Sequence, residues 1–175
     1  KAIGVDAKAN AVKFEVNDDV KADVLNVLPP MRAGTIAQQT GLANINARWC
    51  DVNYMTYESK VHAGIHVIGD SIQLAPLMPK SGHMANQQGK AAAAAIIELL
   101  AGRAPHTQPV VMNTCYSFVD AKSAIHVASI HQYSAEQKTM LTVPGSGGVS
   151  GGGATELEGT YAMAWAQNIW ADMLA

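Results

Sequence analysis

The sequence predicts an α+β chain, and three observations predict it. Val12, Phe14 and Val16 alternate with polar neighbours, and residues 109 to 134 alternate again, which is the two-residue period of a strand. Residues 81 to about 101 carry Ala91 to Ala95, then Ile96, Ile97, Leu99 and Leu100, all strong helix material. The tail TELEGTYAMAWAQNIWADMLA forms a second helical segment.

Element by element, residues 1 to 28 read as strands and turns. Ile3 and Val5 lead to a turn at Asn10, and Asn17-Asp18-Asp19 marks a second turn. The apolar run ADVLNVL then predicts a strand that Pro29-Pro30 stops, because proline donates nothing to a ladder. Residues 31 to 60 form a connector with a helical turn at TIAQQTGL and an exposed turn and short strand at ARWCDVNYMTYES. Ile65 to Ile68 predict a short buried strand ending at Gly69-Asp70. Ser81 or Gly82 caps the central helix, and Gly102 and Pro105 end it. PGSGGVSGGG, residues 144 to 153, reads as a flexible loop; it lacks the Gly-Lys-Ser ending and the strand–helix setting of a phosphate loop. In the tail, Thr155 and Glu158 fit a capping box, and Tyr161, Trp165, Ile169 and Met173 recur every four residues as a core face or, alternatively, a partner surface.

Composition narrows the function. The 175 residues suffice for one domain or two small ones, and 49% apolar against 15% charged residues is a core-forming balance. A net charge of −2 without a basic tract excludes a nucleic-acid binder. No apolar run approaches the roughly 18 residues that span a bilayer. No signal peptide is read, and the chain starts at Lys1 rather than Met, so processing or truncation is one reading of that end. Cys50 and Cys115 are too few for a disulfide framework but enough for one bridge or one redox pair. His62 and His66, and His126 and His131, lack metal-ligand spacing, so no metal site is expected.

Gly69-Asp70 carries the most chemistry. A carboxylate at a strand tip is costly unless something uses it. In open sheets, ligands gather outside the carboxyl ends of strands. The helix starting near Ser81 adds free N–H groups and a positive dipole end. Sugar or polyol hydroxyls suit the carboxylate, and a ligand with diffuse negative charge, such as a reduced flavin, suits the helix start. For Gly-Asp alone, a turn-capping Asp is the sufficient reading.

The longer pattern adds to that. G-I-H-V-I-G-D, then M-P-K-S-G, N-Q-Q-G-K and the alanine-rich helix, resembles the second flavin-contacting motif of the two-dinucleotide-domain disulfide-oxidoreductase superfamily. Within it, the chain is similar to the flavoprotein subunit of flavocytochrome c sulfide dehydrogenase. N-V-L-P-P, W-C-D-V, N-T-C-Y-S and the Trp-rich tail resemble the same family, so the likeness runs along nearly the whole chain. No G-x-G-x-x-G follows a strand, although the family opens with one.

The resemblance implies an oxidoreductase that oxidises sulfide at a redox disulfide beside FAD and passes electrons to a cytochrome c subunit in the periplasm. It implies the C-terminal part of a longer subunit. Residues 1–40 would end an NAD-domain-like unit with its crossover, residues 41–108 would belong to the α/β FAD-binding domain, and residues 109–175 would form a small sheet-and-helix C-terminal domain. Cys115 matches one family cysteine of the redox pair. Gly69, Asp70, Lys80, Ser81 and Gly82 are the expected cofactor contacts, with Lys80 as a solvated loop lysine in the alternative. Cys50 sits where the family has W-C-P-V, with Asp51 in place of the proline, and takes no carried-over role. The FAD site would be incomplete here, with the chain alone inactive and binding flavin weakly or not at all. Two other readings stay open: a related flavin disulfide reductase or sulfide:quinone oxidoreductase, and a non-catalytic module docking a haem subunit. The final helix bears Glu156, Glu158 and Asp172 and no basic residue, which argues against a membrane-facing quinone enzyme.

Overall fold

The computed structural model describes residues 1–174 and divides into two compact units, Lys1–Met31 and Arg32 onward. In the first, β1 (Ala2–Asp6), β2 (Ala11–Phe14) and β3 (Val20–Lys21) form an antiparallel sheet in that order. The β1–β2 turn follows from its residues. The Asp6 carboxylate accepts the N–H groups of Lys8 and Ala9, and Asn10 takes a left-handed φ of 49°, which Asn tolerates. The expected strand ADVLNVL is corrected: pairing stops at Lys21, and residues 22–28 form no ladder. Its apolar residues come in adjacent pairs rather than alternating, so neither face of a strand would be buried, and Val24 and Leu28 lie open to solvent.

In the second unit, α1 (Thr35–Gln39) is followed by a small hairpin of β4 (Val52–Asn53) and β5 (Glu58–Ser59). A 3-10 turn at Gly69–Ser71 precedes α2 (Gly82–Leu100). Then come β6 (Val110–Phe118), β7 (Ala124–Ser134), β8 (Thr139–Thr142), β9 (Gly148–Val149) and α3 (Glu156–Leu174). The sheet runs β6-β7-β8, with β9 also pairing β7, all antiparallel. Among the described residues the one parallel pairing is the Cys50–Ile72 bridge. Segregated helices and antiparallel sheets make this an α+β chain.

One core joins four sequence regions. Val52, Tyr54 and Tyr57 from the hairpin meet Ile72 and Met78 from the following loop, Met84 and Ala92 of α2, and Val111, Tyr133 and Met140 of the sheet. Of the exposed turn and short strand expected at 47–59, the strand is present in the β4–β5 hairpin, but from Cys50 onward the stretch is largely interior, with Cys50 and Tyr57 fully buried. Residues 65–68 also depart from expectation. They form no strand, only a bridge from His66 to Glu58, and Ile65 and Ile68 are exposed. Cys50 pairs instead with the residues that follow, its N–H donating to Ser71 and its carbonyl accepting from Gln73.

The glycine-rich stretch is partly ordered. Gly148 and Val149 pair with Ala128 and Val127, Ser146 Oγ accepts the Ile130 N–H, and Ser150 Oγ accepts that of His126. Thr155 Oγ1 caps α3 by accepting the Glu158 N–H, as the capping box requires. The reciprocal bond is missing, because Glu158 Oε2 instead meets His126 Nδ1 at 2.6 Å. The core stripe of α3 also differs from the four-residue spacing. Gly159 and Ala162 are buried and Trp165 and Ile169 half-buried, while Tyr161 and Met173 are exposed. A true four-residue repeat drifts round a 3.6-residue helix, so its two ends leave the buried face.

Candidate active site

The first turn of α2 is the organising feature. Ser81 stands just outside the helix in extended conformation, and its Oγ accepts the Met84 N–H at 3.0 Å. Its carbonyl takes the Ala85 N–H. Among the described residues no acceptor meets the N–H groups of Gly82 and His83, as expected for the leading donors of a helix. Gly82 is exposed, and a Cβ there would meet nothing within 4 Å, so the approach to these donors is open.

Gly69 and Asp70 sit in the 3-10 turn beside this helix. Gly69 has φ +70°, and a Cβ would come within 3.3 Å of Ala85 Cβ, so both backbone and packing call for glycine. Its N–H donates to Oε1 of the fully buried Gln88 at 2.7 Å, which ties the turn to α2. The Asp70 side chain is exposed. Lys80 is turned inward: Nζ donates to the carbonyls of Asp70 (2.5 Å) and Ile72 (3.3 Å) and lies 3.9 Å from the centre of the Trp49 ring. Partial burial pushes its ammonium below the usual lysine range, Asp70 opposes that, and Arg48 adds to it. The lysine thus clamps the turn rather than standing in solvent.

Cys115 lies on β6 on the same side as the buried Val111 and Asn113, because every second residue shares a face. The helix covers that side only as far as its first turn. Ser81 Oγ donates to Asn113 Oδ1, and the Thr114 N–H donates to His83 Nδ1 at 3.0 Å. Cys115 falls one step beyond and is exposed, a free thiol whose Sγ is 3.3 Å from Asn113 Nδ2. Cys50 is also free but fully buried, and burial pushes its thiol pKa up. It serves as a packed apolar group beside Ala33, Ala37 and Leu42.

The structure therefore joins Ser81 to Cys115 through Asn113, and Lys80 to the backbone of Asp70, around one helix start. Burial also pushes the pKa of His83 down, and its Nδ1 acts as an acceptor, so its proton sits on Nε2. Trp165 of α3 packs edge-on against this ring, with centroids 5.4 Å apart. Asn113, Gln88 and Trp49 lie inside the quoted motifs without a role read for them, and His83 lies outside them. Only Asn113 left a usable signal: it lies two places before Cys115 in an alternating strand. Among the described residues no three His, Cys, Asp or Glu side chains converge as a metal site, and no helix is long and apolar enough to cross a membrane.

Comparison with known families agrees with this end of the chain. Residues 107–174, which contain β6 to α3 and Cys115, match the family model described as flavocytochrome c sulphide dehydrogenase, flavin-binding. The match is confined to this C-terminal segment, and it supports a flavin-related role there.

Proposed function

We propose that the chain carries one wall of the flavin and disulfide site of a sulfide dehydrogenase. The observation that supports it best is the hydrogen-bonded path from the α2 start to an exposed thiol, through Ser81 and Asn113 to Cys115. The residues present fit a flavin. The open N–H groups of Gly82 and His83, with the helix dipole behind them, suit an electron-rich pyrimidine edge. The exposed Asp70 carboxylate suits ribityl hydroxyls. Lys80 acts indirectly, by holding the Asp70 turn against the helix. A bound flavin would supply the acceptor for one electron pair.

The chain's own chemistry lies at Cys115. In this reading it pairs with a cysteine outside this chain. Hydrosulfide attacks one sulfur of that bridge, the S–S bond breaks, one cysteine keeps the added sulfur as a persulfide, and the other leaves as a thiolate carrying the electron pair. The remainder of the flavoprotein supplies the ADP half of the FAD site. A cytochrome c subunit in the periplasm takes the electrons onward. The chain alone then binds FAD weakly or not at all, and a purified sample would be colourless. Tight flavin in that sample would overturn this point.

The test is sulfide-dependent cytochrome c reduction by the full-length flavoprotein, with Cys115→Ser beside it. Loss of turnover in the variant supports the disulfide role, and wild-type turnover removes it.

A further inference from the structure

The side chain of Asn113 is almost fully buried, yet it meets the one exposed thiol among the described residues. Its amide is oriented by Ser81. Ser81 Oγ already accepts from the Met84 N–H, so its single proton is free to donate, and it donates to Asn113 Oδ1. With Oδ1 committed, Nδ2 points at Cys115 Sγ, 3.3 Å away. The same Oδ1 is 3.6 Å from Sγ, within reach of a thiol proton. One locked amide thus presents a donor and an acceptor to the same sulfur.

We propose that Asn113 is a positioning residue for Cys115, offering its sulfur a donor in the thiolate form and an acceptor in the thiol form without moving. The inference rests on the reading that Cys115 is redox-active. When the bridge breaks and Sγ emerges as a thiolate, the Nδ2–H meets the new charge. When solvent returns a proton to Sγ, the S–H turns to Oδ1. Charge-assisted bonds are about twice as strong as neutral ones, so the donor matters most in the thiolate form. Ser81 couples this to the helix start, since losing its hydroxyl releases the amide.

The test uses the full-length flavoprotein, reduced, and follows alkylation of Cys115 by iodoacetamide as a function of pH, read by peptide mass spectrometry. Asn113→Leu keeps the volume and removes both amide functions. We expect alkylation at pH 7 to slow about tenfold, with its pH profile displaced to higher pH. Ser81→Ala leaves Asn113 intact but unlocked, and is expected to give a displacement in the same direction of about half that size on a logarithmic scale. A purely structural role would lower thermal stability without moving the profile. If Asn113→Leu does not fold, Ser81→Ala decides alone. Wild-type profiles in the folded variants overturn the inference. Sulfide turnover by Cys115→Ser separates the two ideas: unchanged turnover there removes the redox reading, whereas lost turnover with unmoved alkylation profiles removes only the role of Asn113.

Discussion

Gly159→Ala is expected to unseat the start of α3. A Cβ at this position would lie 1.7 Å from the carbonyl oxygen of Lys122 and 2.8 Å from its carbon, with Phe118 Cε1 at 3.3 Å. An ordinary carbon–oxygen contact is about 3.3 Å, so helix and turn must separate by about 1.6 Å. The obstacle is backbone, so no side chain can swing aside. Overpacking of this kind costs about 1–3 kcal/mol, and a clash against a main-chain carbonyl belongs at the upper end. The better helix propensity of alanine returns about 1 kcal/mol, leaving a net loss of about 2 kcal/mol. For a chain of this size that lowers the melting temperature by about 4–8 °C. Thermal unfolding by circular dichroism reads it directly. Gly82→Ala is the contrasting case, since its Cβ meets nothing, and it should melt at or slightly above the wild-type temperature. A Gly159→Ala protein as stable as the wild type would refute the close seating of α3 on the 118–122 turn.

Lys80→Met removes the ammonium from the carbonyls of Asp70 and Ile72, and urea unfolding should show a loss of about 1 kcal/mol; an unchanged midpoint and slope would mean that the clamp carries no stability. Burial lowers the folded-state pKa of His131 and of His83 below their ordinary 6.5, so both contribute stability that is complete above about pH 6.5 and is lost as pH falls through the lower folded values. Urea midpoints should therefore fall between pH 7 and pH 5, and His131→Gln should flatten part of that slope; a slope unaffected by the substitution would exclude His131 as a source.

What the sequence revealed follows how local the causes were. Ser81, the alanine run and Gly102 act within a few residues, so α2 was legible almost to its ends. The alternation read over residues 109 to 134 marked β6 and β7 for the same reason, though not the turn between them. The buried hairpin was not, because Tyr54, Thr56 and Ser59 look polar and are interior only through distant partners, such as the Tyr54 hydroxyl donating to the Gln73 carbonyl at 2.7 Å. β9 was hidden because its glycines carry no pattern, and its bonds come from β7 across a long connection. The candidate site divides the same way. Gly69, Asp70, Ser81 and Cys115 stand in short motifs. Gln88 and His83 gain their roles only when α2 is laid against the 3-10 turn and β6.

That division says how the site tolerates change. Two motif residues reach α2 through a buried polar group: Gly69 through Gln88, and Cys115 through Asn113. Both intermediaries are almost wholly removed from water, so truncating either leaves its partner unpaired or hydrated, at about 1–3 kcal/mol. The Asp70 and Cys115 side chains lie nearer the surface and are individually less costly to replace. Stability and chemistry are therefore separable here. Substitutions at Asp70 or Cys115 should leave the fold standing while altering what the site does, whereas substitutions at Gln88 should loosen the turn first. Measuring both thermal melting and thiol reactivity across Asp70, Cys115, Gln88 and Asn113 would expose that split, and equal stability losses at all four would contradict it.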